Sequence, residues 1–179
     1  MSVFVVSDTH FGHAGVCRFL NPDGSKLRPW ENTEDMDEYM VEAWNSVVRP
    51  SDKVYHLGDV VMNRRALATV GRLNGRKMLI KGNHDTFRLA EYAEYFEDVM
   101  ACHVLDGMVL THVPVHPSAL DRFGVNVHGH LHAERVMRRE YAEYYVDGYT
   151  EVVDERYVCV SVEQTEYRPI SFDEVRSRV

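Results

Sequence analysis

The sequence predicts an α/β protein, a β-sheet layered beneath helices on its outer faces. Three observations predict it. Short β-branched runs alternate with helical stretches through the first half of the chain, and the second half is rich in strand runs and turn signals. Run after run then breaks abruptly into a polar loop holding Asp, His or Asn. Strands of open α/β sheets end in this way where they deliver side chains to a site beyond their carboxyl ends.

Val3-Phe4-Val5-Val6 is a buried first strand that opens into Ser-Asp-Thr-His. Asn-Pro-Asp-Gly within Asn21–Pro29 is a strong turn signal and predicts an excursion over the surface. Thr33 is the expected N-cap of a helix over Glu34–Val48, with acidic residues in its first turn. Met36, Met40, Val41 and Trp44 form its apolar stripe, and Pro50 stops it. Lys53–Leu57 reads as the second strand, ending at Gly58-Asp59, and Arg64–Leu73 as helix. Lys77–Lys81 is the third strand, ending at Gly82-Asn83-His84-Asp85, and Thr86–Phe96 is helical again. Val99–Leu105 and Met108–His112 flank the hairpin turn Asp106-Gly107. Asn126–His128 is a short strand ending at Gly129-His130-Leu131-His132. Residues 133–153 are charged and tyrosine-rich and give no clear pattern. Tyr157–Val162 predicts a strand, and Ser171–Arg178 a helix opened by a capping box from Ser171 to Glu174.

A chain of 179 residues suits one domain over residues 1–179 with a sizeable core. Its net charge of -8 argues against a broad electrostatic grip on DNA or RNA, so no stable nucleic-acid partner is expected. A small nucleotide remains compatible, because bound metal ions supply local positive charge. Cys17, Cys102 and Cys159 are odd in number and far apart, which suggests neither a disulfide framework nor a thiolate zinc site. A reducing, cytoplasmic location is the expectation. The first apolar run is too short and too soon interrupted for a signal peptide. No stretch approaches the roughly 18–20 apolar residues of a membrane span.

The polar strand ends carry the chemistry. Asp8, His10, Asp59, Asn83, His112, His130 and His132 supply carboxylate, imidazole and amide oxygen. These are ligands for Mn, Fe, Zn, Ni, Co or Mg. Seven such groups are too many for one tetrahedral site and suit two ions that share a carboxylate. Two ions about 3.5–4 Å apart clamp the attacking and leaving oxygens of a displacement at phosphorus, and a hydroxide held between them is a nucleophile near neutral pH.

In their order, Asp8-Thr-His10, Gly58-Asp59, Gly82-Asn83-His84-Asp85, Thr111-His112 and Gly129-His130-Leu-His132 resemble the five blocks of the calcineurin-like metallophosphoesterases. Asp-x-His or Gly-Asp alone carries almost nothing, and Gly-Asn-His-Asp and Gly-His-x-His are moderately specific; all five in order, each after an apolar run, are strong evidence. The resemblance implies a double β-sheet sandwich flanked by helices, a four-layer αββα fold. It implies two divalent ions, manganese foremost, with Ni, Co, Fe, Zn or Mg as alternatives. Asp8, His10 and His132 would hold the first ion, Asn83, His112 and His130 the second, and Asp59 would bridge. His84 would stabilise the scissile phosphate and protonate the leaving oxygen, with Asp85 beside it as an orienting group.

The short chain and the opening Asp-Thr-His-Phe-Gly-His are similar to a compact phosphodiesterase branch of phages and bacteria. The expected substrates are small phosphodiesters, nucleotides and 2′,3′-cyclic nucleotides among them. A phosphomonoesterase, one acting on phosphoprotein included, is the second reading, and a catalytically silent scaffold of the same fold the third. A homodimer is compatible with the fold, and no surface pattern requires one. The resemblance ends at His132. Tyr141, Tyr144, Tyr145 and Tyr149 match no motif. His116 competes with His112 as a ligand, and His13 either meets substrate or begins a helix. His128 reads as a core or supporting residue, His56 and His103 as structural, and Arg64-Arg65 and Arg138-Arg139 as solvated pairs.

Overall fold

The computed structural model describes residues 1–143 and 148–179. The first half of the chain forms β1 (Val3–Val6), α1 (Thr33–Val47), β2 (Lys53–His56), α2 (Leu67–Val70), β3 (Arg76–Ile80), α3 (Leu89–Tyr92) and β4 (Asp98–Met100). The second half forms β5 (His103–Leu105), β6 (Met108–Leu110), α4 (Leu120–Phe123), β7 (Asn126–His128), β8 (Met137–Tyr141), β9 (Tyr149–Val153), β10 (Tyr157–Cys159), β11 (Ile170–Ser171) and α5 (Phe172–Arg176).

Two sheets carry the fold. One has the order β11-β1-β2-β3-β4, with β1 to β4 parallel and β11 antiparallel at the edge. The other has the order β10-β7-β6-β5, with β10, β7 and β6 parallel and β5 antiparallel. Side chains alternate between the faces of a strand. Val5, Tyr55, Met78 and Ile80 of the first sheet therefore pack with Leu110, Val127 and Val158 of the second. Val6, Val54 and Leu79 turn the other way, onto Met36, Met40 and Trp44 of α1 and Leu67 and Val70 of α2. Phe172 and Val175 of α5 join the core between the sheets. The outer face of the second sheet is covered by the chain around Val115, whose N–H donates to Asn126 Oδ1 and whose carbonyl accepts from the Tyr157 hydroxyl. The result is the layered double sandwich with helices outside it. Among the described residues no helix is long and apolar enough to cross a membrane.

Several predicted elements shift. The cap of α1 is Asn32, whose side chain accepts from Asp35 N–H, one residue earlier than Thr33. The helix expected over Arg64–Leu73 is a 3-10 turn, Arg64–Ala66, followed by α2. The helix expected over Thr86–Phe96 shrinks to Leu89–Tyr92, because residues 82–88 are committed to loop hydrogen bonds. The strand expected over Val99–Leu105 is two strands in different sheets: β4 pairs with β3, and β5 pairs with β6. An extended pattern does not specify which neighbour will receive it. The Asp106-Gly107 turn forms as expected, with φ of 49° and 82°, the left-handed pair that a tight hairpin requires. Ser171 caps α5 through Glu174 N–H. The tract 133–153 contains the ribbon β8–β9, which pairs with neither sheet. Tyr144 and Tyr145 lie outside the described residues.

Candidate metal centre

Every predicted ligand sits just past the carboxyl end of a parallel strand. Asp8 and His10 follow β1, Asp59 follows β2, and Asn83 follows β3. His112 follows β6, and His130 and His132 follow β7. The two sheets are tied together at this end. Ser7 bridges Ser161 in parallel, its N–H donating to the Val160 carbonyl and its carbonyl accepting from Val162 N–H. Residues from both sheets therefore face one rim.

The backbone at the rim is bent into an unfavourable region. Asp8, His10, Asp59, His130 and His132 have φ between 49° and 70°. Non-glycine residues adopt this region at a cost of order 1–3 kcal/mol each, and they cluster where function holds them. Two glycines make the close approach possible. A Cβ on Gly82 would lie 2.1 Å from Asp59 Oδ1, and one on Gly129 would lie 1.9 Å from Ser7 Oγ.

The turns gather two groups of ligand atoms. Asp8, His10 and His132 each place an atom within 4.8 Å of the others, and so do Asp59, His112 and His130. Asp59 Oδ2 stands between the groups, 3.7 Å from His10 Nε2 and 3.4 Å from His112 Nε2. Asn83 Oδ1 is 2.9 Å from His112 Nε2. All seven predicted ligands thus meet at one rim.

The donor set fits a cation. His112 Nδ1 is 2.8 Å from the Leu57 carbonyl, so that nitrogen carries the proton and donates. In the neutral ring Nε2 then turns a lone pair toward Asp59 Oδ2 and Asn83 Oδ1, which only accept, so the cluster attracts a proton or a cation. His132 repeats the pattern: Nδ1 donates to Glu163 Oε1 at 3.0 Å, leaving Nε2 free to ligate. Asp8 Oδ1 is buried with no hydrogen-bond partner. Converging lone pairs without a donor are what a divalent ion satisfies.

Supporting residues differ between the groups. Asp8 Oδ2 accepts from His130 N–H at 2.9 Å and from the Ser161 hydroxyl at 2.8 Å. Arg28 is fully buried. Its Nε meets Glu163 Oε1 at 2.8 Å, and its Nη atoms donate to the carbonyls of Thr9 and Asp8. Around Asp59 the tie is Asp85. Its Oδ2 accepts from Asp59 N–H and Gly82 N–H, and its Oδ1 accepts from Val60 N–H and the Tyr92 hydroxyl. The Asp85 carboxylate thus spends its hydrogen bonds on the Asp59 turn. Arg28, Ser161 and Glu163 were not among the predicted site residues. Ser161 and Glu163 do follow the apolar run at Tyr157–Val160, the signal that marks every ligand.

The charges reflect burial and neighbours. Burial raises the Asp8 carboxyl, against the pull of His132 and His112. Burial would also raise Asp59, but the His112 hydrogen bond and charge outweigh it and hold Asp59 at about 2. Burial and then the Arg28 charge keep His10 well below the ordinary imidazole range. Burial opposes charge on His112 and His132, and Asp59 and Glu163 respectively overcome it and raise them.

The remaining predicted residues fall into place around this rim. His84 is exposed, its backbone N–H donating to Asp59 Oδ1 and its ring 5.5 Å from that of His10. His116 is exposed and bonds Ser118 at a 3-10 turn, whereas His112 is buried in the centre. His13 accepts from Gly15 N–H, with its ring 5.7 Å from His10. His128 and His56 are buried, bonded to the Gly129 carbonyl and the Thr9 hydroxyl, and burial lowers them to about 4 and about 3. His103 bonds the Tyr55 hydroxyl.

Comparison with known proteins agrees with this geometry. Residues 1–157 match the model of the calcineurin-like phosphoesterase superfamily domain. An uncharacterized protein of Methanocaldococcus jannaschii is 33% identical over 180 residues, covering 96% of this chain and 87% of its own length. The Gene 66 protein of Mycobacterium phage D29 is 37% identical over 89 residues, 47% of this chain and 40% of the phage protein. The crystal structure of a protein of unknown function from Aquifex aeolicus shares the fold, with a TM-score of 0.64 at 24% identity and 99% of each chain covered. The chain belongs to the calcineurin-like phosphoesterase superfamily.

Proposed function

We propose that this metal-dependent phosphoesterase hydrolyses phosphodiester bonds of small molecules, nucleotides and 2′,3′-cyclic nucleotides among them. Asp8, His10 and His132 hold one divalent ion, Asn83, His112 and His130 a second, and Asp59 serves both. Bound there, the ions supply positive charge at the phosphoryl oxygens and a nucleophile near neutral pH. Manganese suits the mixed oxygen and imidazole set, and Ni, Co, Fe, Zn or Mg remain alternatives. The observation that carries this reading is the convergence of acceptor atoms around Asp59 Oδ2, with the ring of His84 exposed beside it. An exposed imidazole next to buried ligands is free to meet substrate. His84 donates the proton that the leaving oxygen needs. Asp85 accepts from the Asp59 and Val60 N–H groups of the Asp59 turn and from Gly82 N–H of its own loop, and so acts on the reaction through Asp59.

The test uses metal-stripped protein re-supplied with Mn, Ni, Co, Zn or Mg in turn. Bis-p-nitrophenyl phosphate is compared with p-nitrophenyl phosphate. Metal-restored turnover with preference for the diester is expected. Preference for the monoester would transfer the assignment to a phosphomonoesterase. Two bound ions without turnover on either would favour a scaffold. His84→Ala should lower the rate about 10²–10⁴-fold on a diester with a poor leaving group, and less on p-nitrophenyl esters. An unchanged rate on the poor leaving group removes His84 from the mechanism.

A further inference from the structure

A cleft of about 680 Å³ borders the candidate metal centre, with His130 and His132 in its lining. Phe19, Leu20 and Leu27 form one wall, and Leu131 the other, with His130 and His132 between. Its size falls within the roughly 300–1,000 Å³ of small-ligand sites. Phe19 is 51% and Leu20 63% exposed, so large apolar side chains stand in water beside the half-buried His130 and His132.

The wall is held in shape. Leu27 N–H donates to the Phe19 carbonyl, Asn21 N–H donates to the Ser25 carbonyl, and Leu20 bridges Lys26. The ring of His13 packs edge-on against Phe19 at 5.6 Å. At the foot of the wall the buried Arg28 clamps the chain to the carbonyls of Asp8 and Thr9. The loop cannot drift from the metal ligands without breaking those bonds.

The polar lining says what fits. Asp23 and Glu134 are its acidic members, which disfavours a second phosphate and favours a neutral group. The amide of Asn21 is spent on Ser25 Oγ and the Lys26 carbonyl, and Asp23 on Ser25. Recognition then rests on apolar faces, with little hydrogen-bond reading of edges. His84 is not among the lining residues, whereas His130 and His132 are. We infer that this cleft seats a neutral aromatic ester group that remains on phosphorus while the ester next to His84 departs. The inference rests on the diesterase reading above. In that reaction water adds to phosphorus, the bond to the departing oxygen breaks, and that oxygen takes a proton.

The test compares bis-p-nitrophenyl phosphate with methyl p-nitrophenyl phosphate. The leaving group is the same and only the retained ester differs. The ratio of the two kcat/KM values is measured for wild type and for the double variant Phe19→Ala, Leu20→Ala. Removing an apolar contact of about 60–100 Å² should lower that ratio about tenfold or more, mainly through KM for the aromatic diester. Val104→Ala, at an equally exposed apolar residue on the other sheet, should leave the ratio at its wild-type value. An unchanged ratio in the double variant overturns the cleft and leaves the diesterase standing. If neither diester turns over, the diesterase reading has failed. Calorimetry of manganese-loaded protein with phenylphosphonate and methylphosphonate then decides the cleft. A phenyl preference lost in the double variant supports it, and equal affinities overturn it. Should the double variant unfold, Leu20→Ser carries the same test.

Discussion

The two halves of the metal centre are built from similar ligands but braced differently. Around Asp59, His112 and His130 the braces meet backbone groups: Asp85, in the same loop as Asn83, accepts from the N–H groups of Asp59, Val60 and Gly82, and the acceptor for His112 is the Leu57 carbonyl just past β2. Around Asp8, His10 and His132 the braces meet one another as side chains. Arg28 belongs to the loop between β1 and α1, and Ser161 and Glu163 follow β10. The first kind rests on backbone donors and acceptors, and the second on a buried ion pair. Backbone donors and acceptors carry no full charge, whereas a buried ion pair strands one when either side chain is lost. The Asp8 half should therefore fail more severely when one member is removed.

Arg28→Met is the most severe case. Methionine replaces the apolar stem but leaves Glu163, 3% exposed at its side chain, without its guanidinium. It also orphans the carbonyls of Asp8 and Thr9. Breaking a buried pair in this way costs about 3–5 kcal/mol, measured by urea denaturation. Adding Glu163→Gln should recover part of the loss, because the stranded charge goes with it. The pH dependence has a definite sign. Burial would raise Glu163, but Arg28 and His132 outweigh it and hold it below its ordinary value of 4.5. The stability it contributes is present above that pH and lost as pH falls through the folded value. The gap between wild type and Arg28→Met should narrow under acid. A loss below about 1 kcal/mol at neutral pH would show that the ion pair braces nothing.

Asp85→Asn tests the brace on backbone groups with almost no change in shape. Each carboxylate oxygen of Asp85 accepts two hydrogen bonds. Whichever way the amide turns, its NH₂ faces two donors. The expected cost is about 2–3 kcal/mol, since charge-assisted bonds are lost and donors are left unpaired. Because Asp59 stands between the two ligand groups, titration of stripped protein should show both metal affinities falling together. A change confined to one ion would place Asp85 outside the Asp59 brace.

The same difference explains what the sequence disclosed. The convergence of the seven candidate ligands was legible because each follows an apolar run, and Gly82 and Gly129 marked the turns that need close approach. The turn at Asn21–Pro29 was legible too, but the burial of Arg28 beside it was not. Arginine in a turn-rich stretch is ordinarily solvated, and Glu163, 135 residues away, with the carbonyls of Asp8 and Thr9, makes its burial tolerable. Val99–Leu105 failed for a related reason. Its β-branched pattern is genuine, but the chain crosses between sheets at residues 101–102, a choice made by distant partners. The shortening of the helix at Thr86–Phe96 reflects Asp85, whose carboxylate holds the preceding loop against Asp59 and Val60.

Glu163→Gln should have the most selective effect on the metals. Glutamine keeps an oxygen to accept from His132 Nδ1 but removes the charge that raises the imidazole against its burial. It also leaves the buried Arg28 guanidinium without its counter-charge, so stability should fall too, by less than in Arg28→Met because the glutamine oxygen and the carbonyls of Asp8 and Thr9 still accept from Arg28. What weakens is the orientation and basicity of His132 Nε2. Removing such a supporting carboxylate costs about 10–100-fold in metal affinity, and retention of the oxygen points to the lower end. Calorimetric titration should resolve one weakened ion and one unchanged, since Asn83, His112 and His130 have no contact with Glu163 among the described hydrogen bonds. Equal weakening of both ions would mean that the shared Asp59 transmits the change across the rim, and that the two halves are braced as one unit after all.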